Sequence, residues 1–252
     1  MGSLKNKVAI VTGSGTGIGQ ACALMFADEG ATLVLVGRRR EPLEKTASDC
    51  ESRGSSVLVL PTDLEDGDAA EKVVLQTIQH FGRVDILINN AAFRRGEDRV
   101  PILDLSEELF QRVMDIKVTG TFLCTKAVVK HMIDQGDGGK IVNISSTAGK
   151  TGAPNFLAYN GANFAIVGMT QSMARELGPH KINVNCVCPG AVDTSRMDVV
   201  RDNWEQMAAN TPIGRNGTDD EVGDFCAYLC TEASSWIHGQ SINQNGGTVM
   251  EH

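Results

Sequence analysis

Apolar and polar positions are grouped in blocks along this chain. Short β-branched and aliphatic runs at residues 8–11, 32–36, 57–60, 84–88 and 140–144 lack a polar residue at every second place, and a sixth run, 181–187, carries Lys181, Asn183 and Asn185 among its apolar residues. That pattern predicts strands buried on both faces. Between them lie longer stretches of helical period, among them 41–52, 68–80, 106–133 and a helix continuing through Leu177. Strand and helix alternate, which predicts a doubly wound parallel sheet of the α/β class with helices on both faces. No repeat, linker or low-complexity run breaks the chain, so residues 1–252 are expected to form a single domain.

The end of the first strand carries the first candidate chemistry. In VAIVTGSGTGIGQA, from Val8 to Ala21, the apolar run stops at Thr12, passes four glycines and resumes as a helix near Ile18. Gly13, Gly15, Gly17 and Gly19, with Ser14, Thr16 and Ile18 between them, let the backbone turn sharply and approach a pyrophosphate, which then sits on the free N–H groups of the helix. The spacing is T-G-x-x-x-G-x-G at Thr12, Gly13, Gly17 and Gly19, because Ile18 stands where the third glycine of G-x-G-x-x-G would be. A glycine motif alone is weak evidence, and here the strand before it and the helix after it supply the context. The next strand runs into Gly37, Arg38, Arg39 and Arg40. An NAD site usually carries an acidic residue there for the ribose 2′-hydroxyl, whereas arginines, Arg38 first and then Arg39, suit the 2′-phosphate of NADP(H).

Composition narrows the partners. The net charge of −8 offers no basic surface to phosphates, so nucleic acid is not expected and a small molecule is. No apolar run approaches membrane-spanning length, and MGSLKNK lacks the apolar core of a signal peptide, so a cytoplasmic protein is expected. Seven cysteines without a C-x-x-C pair suggest small buried hydrophobes, and five histidines without ligand spacing indicate no metal site.

The strand at 84–88 ends in Asn89, Asn90, Ala91 and Ala92, at a carboxyl edge where open α/β sheets bind ligands. With TGSGTGIG, Asp63 and NNAA on the page, the chain resembles the short-chain dehydrogenase/reductase family, in its compact 3-oxoacyl-carrier-protein-reductase-like branch, from residue 7 to 250. The resemblance implies a Rossmann-type fold and an NADP(H)-dependent oxidoreductase that reduces a carbonyl or oxidises a secondary alcohol by hydride transfer. It implies cofactor contacts from the glycine loop, Asp63, Leu64, Asn90, Ala91 and Ala92. Ser146 and Tyr159, thirteen residues apart, match the family's catalytic serine and tyrosine: Ser146 would hold the substrate oxygen and Tyr159 would exchange the proton. Pro189, Gly190, Val192 and Thr194 would hold the nicotinamide carboxamide. Residues 195–215, with Met197, Val199, Val200, Trp204 and Met207, would form a substrate lid. Asn245 stands where the family usually has aspartate, and a homotetramer is implied.

Two positions depart from the family pattern. The family's asparagine in the middle of the helix 106–133 is Lys117 here, and the lysine four residues after the catalytic tyrosine is Asn163. That lysine normally holds the nicotinamide ribose and sets a cation beside the tyrosine. At about 100° per residue Lys117 shares a face with Val113, Met114, Gly120 and Thr121, while Lys126 and Lys130 point the other way. The two departures read as an exchange, in which Lys117 supplies charge from the neighbouring helix and Asn163 the hydrogen bond. Two other readings stay open: a lyase or isomerase that consumes no nucleotide, and a nucleotide-binding regulatory protein with a disabled tetrad.

Overall fold

The computed structural model describes residues 2–93, 96–194 and 204–250. Its first half runs β1 (Val8–Thr12), α1 (Gly17–Asp28), β2 (Thr32–Gly37), α2 (Arg40–Glu51), β3 (Val57–Pro61), α3 (Ala69–Phe81), β4 (Ile86–Asn89) and α4 (Glu107–Met114). A π-helical turn, Asp115–Thr119, leads directly into α5 (Gly120–Gln135), followed by β5 (Gly139–Ile144), α6 (Leu157–Leu177) and β6 (Ile182–Pro189). The last part holds β7 (Val192–Asp193), α7 (Trp204–Asn210), β8 (Gly217–Thr218), α8 (Asp219–Leu229) and β9 (Ser241–Gln244).

Seven strands form one parallel sheet in the order β3-β2-β1-β4-β5-β6-β9. The order reverses between β1 and β4, which opens a crevice at the strands' carboxyl ends. Alternate residues of each strand feed separate cores. Ala9 and Val11 pack with Cys22, Phe26 and Cys226 on the side of α1 and α8, while Val8 and Ile10 pack with Val73, Val128 and Met132 on the side of α3 and α5. Burial on both faces is why the strands read as unbroken apolar runs. All seven cysteines are buried and none is in a disulfide.

A polar seam crosses the core where the crevice begins. Asn89 Nδ2 donates to Thr125 Oγ1 (3.1 Å) and Asn143 Oδ1 (2.9 Å), and Asn143 Nδ2 donates to Thr170 Oγ1 (2.9 Å). These bonds register β4 and β5 against α5 and α6, and a buried amide left without them would cost about 1–3 kcal/mol.

Two features differ from the expected elements. The helix expected over 106–133 contains the π turn, an i→i+5 widening that appears often at functional sites, and Lys117 lies in it. The segment expected as a lid lies partly outside the described residues: 195–203, with Met197, Val199 and Val200, are not described. The rest carries α7, including Trp204 and Met207. Its neck is closed by a two-stranded parallel pairing of β7 with β8, Val192 opposite Gly217 and Asp193 opposite Thr218, too short to leave a periodic signal in sequence. Thr218 and Glu221 form the capping box at the start of α8.

The packing of α8 against α1 sets a test. A Cβ on Gly223 of α8 would come within 2.9 Å of the Ala21 backbone of α1, whereas one on Gly120 would meet only ordinary contacts at 3.6 Å and beyond. Helix propensity alone favours alanine at both by up to about 1 kcal/mol. Overpacking costs about 1–3 kcal/mol, so it outweighs propensity at Gly223 only. Gly223→Ala should therefore lower the urea midpoint and Gly120→Ala should leave it unchanged or raise it.

Candidate active site

The glycine loop is built from backbone. Gly13 N and Ser14 N both donate to Val36 O (2.7 and 3.2 Å), which folds the turn onto the end of β2. Gly13 and Gly17 have φ of 66° and 57°, the left-handed region that glycine enters without penalty. A Cβ on Gly19 would run into Gly13 O and Asn90 Nδ2. The cradle therefore requires bare backbone at this point, and it opens at the start of α1, where unpaired N–H groups suit a pyrophosphate. These residues fit a dinucleotide.

Thr12 and Asn90 join the cradle to the end of β4. Thr12 Oγ1 donates to Ile88 O (3.1 Å) and accepts from Asn90 N (3.0 Å) and Ala91 N (3.1 Å). Asn90 Nδ2 donates to Thr12 O and Gly13 O (3.0 and 3.2 Å). Ala92 continues this edge. Thr194 reaches the same place from β7, lying against Gly17 at the start of α1, and Val192 is buried beneath it. Pro189 ends β6, and Gly190 N donates to Gln244 O (3.0 Å), which ties the loop to β9. Gly15 abuts Pro42 of α2. The residues expected to contact a cofactor thus come to one edge of the sheet from β1, β4 and β6.

The three arginines after β2 separate. Arg40 is in α2 and pairs with Glu44 (3.3 Å), and Arg39 occupies the N-cap position of that helix, exposed. Arg38 turns toward the loop after β3, 3.9 Å from Glu65, which also meets Arg112 of α4 at 3.4 Å. Asp63, two residues before Glu65, accepts from Glu65 N (3.2 Å), and Leu64 packs toward Gly120. Glu65 carries no motif, and sequence reasoning missed it.

Ser146 lies just past β5 with its Oγ accepting from Ala148 N (3.2 Å), capping a short 3₁₀ turn. Tyr159 is half-buried in the first turn of α6, edge-on to Phe156 with ring centroids 6.2 Å apart. The two segments are stitched together one residue from each: Ser145 Oγ donates to Asn163 O (3.0 Å). Asn163 is only 2% exposed, and its Nδ2 donates to Tyr159 O (2.8 Å), the carbonyl one turn back.

Lys117 points inward, 5% exposed, while Lys126 and Lys130 are exposed. Its Nζ donates to Ile144 O (2.5 Å), the last carbonyl of β5 and two residues before Ser146. The bond goes to this strand rather than to Tyr159 or Asn163. Burial pushes its pKa down from 10.5 to about 8, against a small opposing pull from Cys186 and Cys188. At neutral pH the group is still mainly a cation, in a place where few other charges screen it.

Fold and site together define a dinucleotide-binding protein of the doubly wound α/β class. Known proteins narrow this. The model of the enoyl-(acyl carrier protein) reductase family matches residues 13–249. The 3-oxoacyl-(acyl-carrier-protein) reductase FabG of Thermotoga maritima is 34% identical over 98% of this chain and 99% of its own. The BbsD subunit of a hydroxy(phenyl)methylsuccinyl-CoA dehydrogenase from Thauera aromatica is 36% identical over 98% of both chains. A short-chain dehydrogenase/reductase structure from Mycobacterium marinum superposes with a TM-score of 0.93 at 32% identity, covering 98% of this chain and 97% of that one. A structure of a proposed 2-deoxy-D-gluconate 3-dehydrogenase from Agrobacterium tumefaciens, with bound NADP, superposes at 0.88 with 29% identity over 97% of each chain. The chain belongs to the short-chain dehydrogenase/reductase family of oxidoreductases, in the 3-oxoacyl-carrier-protein-reductase-like group. Among the described residues no helix is long and apolar enough to cross a membrane, and no cluster of three or more metal-ligating side chains is present.

The buried ammonium has a measurable signature. Between about pH 8 and 10.5 the unfolded chain keeps the Lys117 proton that the folded one releases, so this group makes stability rise with pH. The full drop corresponds to on the order of 3 kcal/mol. In urea unfolding, Lys117→Met should lose roughly 2 kcal/mol relative to the parent between about pH 7 and 9.5. The buried thiols, common to both proteins, cancel in that difference. A difference independent of pH would contradict a charged, buried Lys117.

Proposed function

We propose that this chain is an NADP(H)-dependent oxidoreductase that reduces a carbonyl, or oxidises a secondary alcohol, by hydride transfer, with Tyr159 as general acid and base. The observation that carries the reading is the Ser145–Asn163 bond, which holds Ser146 and the Tyr159 turn together at the edge that also carries the glycine cradle. The cofactor preference is supported by Arg38 just after β2, a strand that ends in Gly37 rather than in an acidic residue. Two relatives point the same way by name, a 3-oxoacyl-carrier-protein reductase and a dehydrogenase structure holding NADP.

A bound nicotinamide dinucleotide supplies or accepts the hydride. The chain's own residues hold the substrate oxygen and move one proton. Ser146 Oγ already accepts from Ala148 N, so its own proton is available to the substrate oxygen. Tyr159 gives its hydroxyl proton to that oxygen in reduction and takes it back in oxidation. Lys117 provides the positive charge that the family places at position 163, acting through the end of β5 rather than by direct contact. Asn163 holds the backbone of the turn that carries Tyr159.

The whole chain would work as one domain, with the segment between β7 and β8 closing over a small-molecule substrate. Phe122 of α5 and Phe164 of α6 are about half exposed, which supports burial of these helices against sister subunits in a homotetramer.

NADPH oxidation with an activated ketone such as trifluoroacetophenone tests the chemistry. Ser146→Ala and Tyr159→Phe should each lower kcat by roughly 100-fold or more while NADPH binding, read by fluorescence, is retained. Arg38→Leu should weaken NADPH by about tenfold and leave NADH unchanged. Substrate conversion without NADPH oxidation, or full turnover in the Tyr159 variant, would overturn the reading.

A further inference from the structure

We propose that Glu65 tunes the choice between NADP(H) and NAD(H), by competing with the cofactor's 2′-phosphate for Arg38 and by repelling that phosphate. This rests on the NADP(H) reading above and adds to it a residue that limits the preference. The carboxylate of Glu65 turns one oxygen to each of two arginines: Oε1 lies 3.9 Å from Arg38 Nη1 and Oε2 lies 3.4 Å from Arg112 Nε. Asp63 Oδ1 accepts from Glu65 N (3.2 Å), which fixes the turn that presents it. One carboxylate thus joins the loop after β2, the loop after β3 and α4.

The two pairs are unequal. At 3.9 Å the contact with Arg38 is longer than a hydrogen bond, so it is a charge contact alone, and about half of the Arg38 side chain is exposed. Arg112 is closer to Glu65, and its guanidinium carbon also lies 5.6 Å from the centre of the Phe93 ring. Arg38 can therefore change partner at little cost while Glu65 stays on Arg112. An exposed pair of this kind contributes little, whereas a phosphate offers a guanidinium charge-assisted, two-pronged bonding. The phosphate wins the exchange, but Glu65 remains beside it as a like charge. A ribose 2′-hydroxyl is uncharged and feels neither effect. Arg112 works in the other direction, since neutralising Glu65 weakens both its hold on Arg38 and its repulsion of the phosphate.

The test uses 2′,5′-ADP and 5′-AMP, which differ by the 2′-phosphate and carry no nicotinamide, titrated by calorimetry into the parent, Glu65→Gln and Arg112→Leu. Glu65→Gln should tighten 2′,5′-ADP by about threefold or more and leave 5′-AMP unchanged. Arg112→Leu should shift 2′,5′-ADP the opposite way, by about twofold, again with 5′-AMP unchanged. A parent preference for 2′,5′-ADP that Glu65→Gln leaves as it was, or an equal gain for both probes, would overturn the proposal and leave the NADP(H) reading standing. Equal binding of the two probes by the parent, with a preference appearing in Glu65→Gln, would count against the NADP(H) reading and support the role of Glu65. Equal binding in both proteins would overturn both.

Discussion

The contact on which the rest depends is the approach of α1 to the end of β1. Gly19 lies so close to Gly13 O and Asn90 Nδ2 that no side chain fits between them. The approach brings the start of α1 over the switch in strand order, and Thr12 and Asn90 then bolt β4 to the same point. Parallel pairing does the remainder. Because every strand of the sheet runs the same way, its loops with functional residues emerge on one edge. Ser146, Tyr159 and Thr194 arrive there from segments far apart in sequence.

The unusual element of this edge is a buried amine. A lysine buried on a helix costs stability, and the chain retains it in a π turn where its nitrogen reaches the final carbonyl of β5. The position that would carry a lysine in relatives holds instead an amide folded against its own helix. In the mechanism proposed above, moving the charge from α6 to the neighbouring helix would turn a contact into an electrostatic effect acting across a few buried groups. Such an effect is strong only where water is excluded, and Lys117 and Asn163 are both nearly inaccessible.

Much of this was legible in the residues, for identifiable reasons. Strands such as Leu33–Val36 announce themselves because burial on both faces leaves no polar alternation. The inward direction of Lys117 followed from helical period alone, since Val113 and Thr121 on its face are buried and Lys126 and Lys130 are not. The π turn escaped because a single wide turn changes no residue type. The β7–β8 clasp escaped because two-residue strands carry no period. Glu65 was missed because its importance arises from two arginines, one on the loop after β2 and one on α4, that come together only on folding.

In the proposed mechanism Lys117 carries the charge that the family pattern places four residues after the tyrosine. Single-turnover hydride transfer from NADPH to trifluoroacetophenone tests it in three proteins: the parent, Lys117→Asn, and the double variant Lys117→Asn with Asn163→Lys. A loss of roughly 100-fold is expected in the single variant, as for removal of a catalytic proton-transfer partner, and recovery to within about tenfold of the parent in the double variant. A single variant that transfers hydride at the parent's rate would contradict it.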